Sequence, residues 1–153
     1  MSLLGQTAPD FTLFDNSKEA TTLSDYRGGK VVLSFYPAAF TGVCEKQACG
    51  FRDAMAIFND LNTTVFGISV DSPFANGAFA AKNQINYKLL SDFARATVEA
   101  YGIPFNNFAG MPGYVSANRA VFIVDESGKV IYEWIAPNLG AEPNYDEVKA
   151  AAR

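Results

Sequence analysis

The sequence contains no histidine, and only two cysteines occur among its 153 residues. The lack of histidine excludes the Ser-His-Asp and Cys-His mechanisms and removes the commonest metal ligand. Two thiols cannot complete a structural zinc site, which takes four ligands, and secreted disulfide scaffolds carry more cysteines. We therefore expect no metal and no cofactor, and a chemistry that uses cysteine, carboxylates, hydroxyls, lysine or arginine.

Charged side chains are also scarce. They make up 18% of the chain, and the formal net charge is -4 at neutral pH. A mildly acidic chain gains nothing from a phosphate backbone, so nucleic acid is not an expected partner. No apolar run approaches the length of a membrane span, and Met1–Asp10 lacks the basic and apolar regions of a signal peptide. We expect a cytoplasmic protein without a membrane partner.

Strand and helix patterns alternate along the chain, whose length suits one domain over residues 1–153. The predicted elements are a hairpin of Phe11–Phe14 and Ala20–Leu23, strand Val31–Tyr36, helix Thr41–Leu61, strand Val65–Val70, helix Ser72–Lys82, strand Tyr87–Leu90, helix Ala94–Tyr101, a hairpin of Ala120–Val124 and Val130–Ile135, and helix Tyr145–Ala152. The segment Ile103–Asn118 shows no period. This order predicts an α/β fold with a mixed central sheet flanked by helices.

A thiol occupies the start of the long predicted helix. Thr41 is the expected N-cap, which makes Cys44 the third helical residue, where a capping box carries a carboxylate. The free N–H groups and the helix dipole favour an anion there, and the Thr41 hydroxyl can donate to it. Because there is no histidine, a cation that favours the thiolate must be lysine or arginine. Arg119, at the start of a predicted strand, is the candidate.

Each of these residues also has a simpler interpretation. Free cysteine is among the most buried residue types, so Cys44 and Cys49 could be core residues. Thr41 could serve as a cap alone, and Arg119 could be a surface charge. The combination of a helix start, a threonine three residues earlier and a second cysteine favours the chemical role for Cys44.

Cys44 and Cys49 lie five residues apart on the predicted helix. That spacing separates their Cα atoms by about 8.5–9 Å. A disulfide does not form beyond about 7 Å. If the two cysteines bridge, the first turns of the helix must unwind. The spacing thus predicts a helical dithiol form and a locally unfolded disulfide form.

The residues Pro37-x-x-x-Thr41-x-x-Cys44 resemble the active-site signature of the peroxiredoxins, and the resemblance extends over essentially the whole chain. It implies a thioredoxin-like fold with an N-terminal β-hairpin extension. It also implies that Cys44 is the peroxidatic nucleophile and that Pro37 shields it. In the same way it implies that Thr41 hydrogen-bonds the sulfur and that Arg119 stabilises the thiolate and the peroxide.

The spacing of the two cysteines is similar to that of the Q-type (bacterioferritin-comigratory) subgroup, in which the second cysteine resolves the first within one chain. Gln47 is a departure, because that subgroup often has glutamate at this position. The run Ala39–Cys44 also resembles one-cysteine members of the family. The resemblance therefore implies a resolving role for Cys49 and leaves a one-cysteine mechanism open.

The function implied by the resemblance is thiol-dependent reduction of hydrogen peroxide or an organic hydroperoxide through a Cys44 sulfenic acid. Cys49 would convert this acid into an intramolecular disulfide, and a thioredoxin- or glutaredoxin-like protein would restore the thiols. The alternatives are a one-cysteine peroxiredoxin, a thiol–disulfide oxidoreductase and a redox sensor. A monomer and a homodimer both agree with the resemblance.

Four phenylalanines bear on the choice of peroxide. Phe40, Phe74, Phe105 and Phe108 would form an apolar entrance suited to alkyl peroxides if they lay exposed near the thiol. Packing in the core explains them equally well from the sequence alone.

Overall fold

The computed structural model describes residues 2–153, and within that range the strands form one seven-stranded sheet and one two-stranded sheet. The strands are β1 (Thr12–Asp15), β2 (Ala20–Thr22), β3 (Lys30–Phe35), β4 (Thr63–Ser69), β5 (Lys88–Ser91), β6 (Pro104–Phe105), β7 (Ser116–Ala117), β8 (Ala120–Val124) and β9 (Val130–Ile135). The helices are α1 (Gly42–Asp60), α2 (Pro73–Asn83), α3 (Ala96–Ala100) and α4 (Tyr145–Ala151).

The large sheet is mixed, with the strand order β2-β1-β5-β4-β3-β8-β9. Its centre consists of the parallel strands β5, β4 and β3, while β8, β9, β1 and β2 pair in antiparallel fashion. Parallel neighbours need a crossover, and α1 and α2 provide the two crossovers from β3 to β4 and from β4 to β5. The predicted mixed central sheet with an N-terminal hairpin is confirmed.

Strand β3 shows why the sheet is covered on both faces. Val31, Leu33 and Phe35 enter one apolar cluster, which also holds Val98 of α3. Val32 enters a second cluster, which contains residues of α1 and α4. Because successive side chains of a strand point to opposite faces, a continuous apolar run suits a strand buried on both sides.

The structure refines two regions of the sequence prediction. Ile103–Asn118 contains the paired strands β6 and β7, which at two residues each are too short to produce a period. Helix α3 begins at Ala96, two residues later than expected, because Arg95 adopts a left-handed backbone conformation (φ 66°). No helix formed by residues 2–153 combines the length and the apolar character that a membrane crossing requires.

Gly67 of β4 lies in close contact with the side chains of neighbouring strands. A Cβ at this position would lie 2.6 Å from Cδ2 of Leu89 and 3.3 Å from Cε1 of Tyr36, and both neighbours are buried. We expect Gly67→Ala to lower the free energy of unfolding by about 1–3 kcal/mol, because buried side chains must shift to admit the methyl group. Urea denaturation measures this loss.

Gly77→Ala in α2 is the matched control. Its added Cβ meets only the Asn16 carbonyl, at an ordinary 3.4 Å. Alanine is favoured over glycine inside a helix by about 0.5–1 kcal/mol, so this variant should be as stable as the parent or more stable. Equal losses in the two variants would contradict the close packing assigned to Gly67.

Candidate active site

The sulfur of Cys44 lies at the carboxyl edge of the parallel strands, inside the first turn of α1. Strand β3 ends at Phe35 and α1 begins at Gly42, with Thr41 as the N-cap in an extended conformation (φ -101°, ψ 148°). Cys44 is the third helical residue, as predicted, and is 1% exposed. The thiol therefore occupies the end of the helix at which backbone N–H groups lack helical partners.

Thr41 uses its hydroxyl differently from the sequence expectation. The hydroxyl donates to the Ala38 carbonyl (2.9 Å), so it stabilises the turn that precedes the helix. Between residues 2 and 153, the structure contains no side-chain capping bond from Thr41 and no hydrogen bond from its hydroxyl to the Cys44 sulfur. Donation from Thr41 to a thiolate stays a prediction.

The turn before the helix is attached to the ends of the neighbouring strands. The backbone N–H of Ala39 donates to the Asp71 carboxylate (2.8 Å), which follows β4. The Tyr36 hydroxyl donates to the Asn76 side chain (2.7 Å), whose amide nitrogen donates to Ser91 of β5 (3.1 Å). Burial raises the pKa of Tyr36 well above its usual value, which keeps the phenol a neutral donor. These contacts fix the approach of the chain to Cys44.

Arg119 reaches the sulfur because of the register between β8 and β3. Ala120 pairs with Phe35, so the preceding residue lies just beyond the end of β3, beside the start of α1. Its Nη1 is 3.3 Å from Sγ of Cys44, and Arg119 is 2% exposed. The structure thus brings together the two residues that the sequence analysis paired, and it excludes the interpretation of Arg119 as a surface charge.

Two neutral acceptors hold the guanidinium of Arg119. Its Nη1 also donates to Oε1 of Gln47 (2.8 Å), and its Nη2 donates to the carbonyl of Leu139 (2.8 Å). Gln47 is buried, and its Nε2 donates to the Ser34 hydroxyl (2.7 Å) and to the Phe35 carbonyl (3.0 Å). These two donations orient the amide, so its oxygen faces the guanidinium.

Arg119 is therefore a buried cation among neutral groups. Over the described range of the chain it forms no ion pair with a carboxylate, and its Nε has no hydrogen-bond partner. A buried charge without a counter-charge costs several kcal/mol, so buried cations are normally paired with anions. Of the groups bonded to Arg119, the Cys44 thiol is the one that can ionise. The guanidinium therefore places a positive charge 3.3 Å from that sulfur.

A depression of about 210 Å³ opens over the sulfur. Pro37 and Phe108 line it together with Thr41, Cys44 and Arg119. This volume admits several molecules the size of water. Pro37 thus lies beside the thiol, as the sequence resemblance implies.

Cys49 lies on the same helix, half-buried and facing α2. Its Sγ is 3.7 Å from Oδ1 of Asn83. Both cysteines are free thiols, and α1 runs without interruption from Gly42 to Asp60. The structure is therefore the helical dithiol form, and a Cys44–Cys49 disulfide requires the first turns of α1 to unwind.

The four phenylalanines divide into two pairs. Phe40 and Phe74 are 49% and 72% exposed, so core packing is wrong as an explanation of these two. Phe105 and Phe108 are half-buried, and their rings contact each other (centroids 6.2 Å apart). Phe108 lines the depression over Cys44, which gives that depression an apolar wall.

The contacts of Gln47 and Leu139 with Arg119 are not predicted from the sequence. Gln47 was noted only as a departure from a family pattern, yet it shares the apolar helix face of Cys44, Ala48 and Phe51, where a polar side chain indicates a buried partner. Leu139 participates through its backbone carbonyl, for which its side chain gives no signal.

Comparison with known proteins finds a family match and relatives of high sequence identity. Residues 4–133 match the model of the AhpC/TSA family. The chain is 41% identical over 128 residues to alkyl hydroperoxide reductase E of Mycobacterium tuberculosis, which covers 82% of this chain and 80% of that protein. It is 39% identical over 126 residues to the chloroplastic peroxiredoxin Q of Populus jackii, covering 82% of this chain and 57% of that longer relative.

A solved structure shows the same fold. The crystal structure of peroxidoxin BcpB from Mycobacterium tuberculosis superimposes with a TM-score of 0.87 at 30% identity, covering 99% of this chain and 97% of that one. The fold, together with a buried thiol beside a guanidinium at a helix N-terminus, has the features of a thiol-based redox protein.

The chain belongs to the AhpC/TSA family, whose peroxiredoxins are thiol-dependent peroxidases. The predicted resemblance to the peroxiredoxins, including their Q-type subgroup, is confirmed, and so is the thioredoxin-like fold.

Replacement of Gln47 tests the hydrogen-bond cluster. Gln47→Leu removes the partners of Ser34, of the Phe35 carbonyl and of Arg119. Because each unsatisfied buried group costs about 1–3 kcal/mol, we expect the free energy of unfolding to fall by about 3 kcal/mol. Gln6→Leu, at an exposed position, is the control and should change it by less than about 0.5 kcal/mol. A loss in Gln47→Leu no larger than that of the control would contradict the assigned network.

Proposed function

We propose that residues 1–153 form a single-domain, thiol-dependent peroxidase in which Cys44 is the peroxidatic nucleophile. The observation that carries this proposal is the 3.3 Å contact between Nη1 of Arg119 and Sγ of Cys44, within a cluster whose other acceptors are neutral. The guanidinium and the helix N-terminus both stabilise a negative sulfur. The thiolate, and not the thiol, is the nucleophile that attacks a peroxide.

In the first step the Cys44 thiolate attacks one oxygen of the hydroperoxide. The S–O bond forms while the O–O bond breaks, and Cys44 becomes a sulfenic acid. The departing oxygen takes up a proton and leaves as water or as an alcohol. Negative charge moves from the sulfur to that oxygen, and Arg119, which lines the depression, can donate to it. Thr41 is assigned a second donor role, and Pro37 limits solvent at the sulfur.

Both hydrogen peroxide and an organic hydroperoxide fit the depression over Cys44. The apolar wall formed by Phe108 supports an organic hydroperoxide as the better substrate. The name of the relative from Mycobacterium tuberculosis, alkyl hydroperoxide reductase E, agrees with that choice. Apolar contacts with the alkyl group would add binding free energy that hydrogen peroxide lacks.

In the second step Cys49 resolves the sulfenic acid. Its sulfur attacks Sγ of Cys44, the S–O bond breaks, an S–S bond forms, and the hydroxyl group leaves with the thiol proton as water. A thioredoxin- or glutaredoxin-like dithiol then reduces the disulfide by exchange. We place this cycle in the cytoplasm, in a monomer or a homodimer, without a metal or an organic cofactor.

Two substitutions test the first step. Cys44→Ser should abolish peroxide consumption, because no other thiol occupies a helix start beside a guanidinium. Arg119→Met should lower kcat/KM for an organic hydroperoxide by a factor of about 100 to 1000, since a buried donor to the transition state is lost. Arg27→Met, at an exposed position, should retain the parent value. Substantial turnover by Cys44→Ser would contradict the proposal.

Cys49→Ser tests the second step. With a thioredoxin-like reductant, the variant should form the sulfenic acid at the parent rate, form no intramolecular disulfide and lose most of its turnover. Peptide mass spectrometry after one equivalent of peroxide detects the disulfide as the loss of two hydrogens. Undiminished turnover in Cys49→Ser would assign a one-cysteine mechanism instead.

Two further assays distinguish the remaining alternatives. Reduction of insulin disulfides without peroxide would identify a thiol–disulfide oxidoreductase, and the 1% exposure of Cys44 argues against that activity. Sulfenic acid formation with only slow turnover under ample dithiol would identify a redox sensor. The proposed peroxidase instead predicts sustained peroxide consumption and no insulin reduction.

A further inference from the structure

One side of α2 lies against the part of the chain that carries the two cysteines. Phe79, Lys82 and Asn83 have the i, i+3, i+4 spacing that places residues on one face of a helix, and we call them the α2 contact face. Nζ of Lys82 is 2.9 Å from Oε1 of Glu45 in the first turns of α1. Oδ1 of Asn83 accepts from the Cys49 thiol at 3.7 Å.

The same face contacts Phe40, the residue that precedes the N-cap of α1. The ring of Phe40 packs edge-to-face on the buried ring of Phe79, with centroids 5.4 Å apart. Nζ of Lys82 lies 5.7 Å from the centroid of the Phe40 ring, at cation–π distance. Lys82 therefore contacts both Phe40 and Glu45, on the two sides of the Thr41 N-cap. All of these contacts lie in the segment that must unwind before Cys44 and Cys49 can bridge.

The backbone of Phe40 is strained in the helical form. Its φ is 65°, in the left-handed region that bulky side chains rarely adopt. The strain is local to the residue before the N-cap, so unwinding the start of α1 frees Phe40 to return to an ordinary conformation. The helical dithiol form must therefore be held by contacts that offset this strain.

We propose that Lys82 is a positioning residue that holds the start of α1 in its helical form and thereby limits the rate at which Cys49 resolves the Cys44 sulfenic acid. The inference rests on the proposed function, in which Cys49 is the resolving cysteine. Lys82 is the charged member of the α2 contact face, and its side chain is 59% exposed. Its contacts are therefore weak and sensitive to salt, which suits a segment that unwinds once in each catalytic cycle.

The position of Lys82 also affects a side reaction. A sulfenic acid that waits for Cys49 can react with a second peroxide, whose O–O bond breaks as a second oxygen is transferred to the sulfur, giving sulfinic acid and water or an alcohol. Slower unwinding of the start of α1 prolongs the lifetime of the sulfenic acid. Lys82 therefore increases the share of Cys44 that is lost as sulfinic acid at high peroxide.

Lys82→Met tests the proposal, because methionine keeps the apolar stem and removes the charge. After a pulse of peroxide and rapid acid quench, peptide masses give the disulfide and the sulfinic acid over time. We expect disulfide formation to accelerate about threefold to tenfold, as the loss of an exposed ion pair and a cation–π contact implies, and sulfinic acid to decrease correspondingly. Added salt should accelerate the parent and leave Lys82→Met unchanged.

Lys30→Met is the matched control. Lys30 pairs with Glu126 (3.8 Å) at the start of β3, the end of that strand remote from Cys44. The Lys30→Met substitution removes one charge and one ion pair without touching α1 or α2. The rate of disulfide formation in this variant, and the response of that rate to salt, should therefore equal those of the parent. Disulfide rates in Lys82→Met that match those of the parent and of Lys30→Met would overturn the proposal.

A second pair of variants isolates the strain at Phe40. Phe40→Ala and Phe40→Gly both lack the ring, but only glycine adopts φ 65° without strain. The helical form is then more stable in the glycine variant, and we expect disulfide formation there to be slower than in the alanine variant by about threefold to tenfold. Equal rates would show that unwinding releases no strain at Phe40, which overturns that part of the argument.

Failure of this inference is distinguishable from failure of the proposed function. If the parent forms no Cys44–Cys49 disulfide under any peroxide pulse, the resolving role of Cys49 is wrong, and the role of Lys82 falls with it. If the parent forms the disulfide but Lys82→Met behaves as the parent does, the proposed function stands and Lys82 has no role in timing.

Discussion

The buried guanidinium of Arg119 is the constraint on which the rest of the site depends. A cation at 2% exposure needs a negative partner, yet Gln47 and the Leu139 carbonyl offer only neutral oxygens. The sulfur of Cys44 completes this set, 3.3 Å from Nη1, and is the contact of Arg119 that could carry a negative charge. Gln47 binds the guanidinium through a neutral amide oxygen, at a position where the Q-type subgroup often carries a glutamate.

The fold brings these groups together through two separate features of the sheet. The crossover from β3 into α1 places the thiol at a helix N-terminus, and the antiparallel pairing of β8 with β3 brings Arg119 to the same edge. The two chemical steps of the proposed peroxidase cycle make opposite demands on α1. The first requires an intact helix start beside the guanidinium, whereas the second requires that start to unwind. The contacts of α2 with Phe40, Glu45 and Cys49 lie in the segment that is helical for the first step and must unwind for the second.

The sequence predicted those parts of the site that depend on local signals. Capping preference and apolar spacing located Thr41 and Cys44 correctly, because both act within a few residues. The approach of Arg119 to the sulfur depends on the register between β8 and β3, which no local sequence pattern contains. The position of Arg119 at a strand start and the family resemblance together suggested this contact. Gln47 was overlooked because its importance arises from three buried partners on other elements. Leu139 was not predictable, since its carbonyl carries the interaction.

The central proposal is that Cys44 reacts as a thiolate because the buried guanidinium of Arg119 stabilises a negative sulfur. Ultraviolet absorbance of the thiolate measures this most directly, in a Cys49→Ser background where every thiolate signal belongs to Cys44. The account predicts thiolate absorbance at neutral pH that is lost when Arg119→Met is added. Absorbance that appears only in alkaline solution, or that is the same with and without Arg119, would contradict the account.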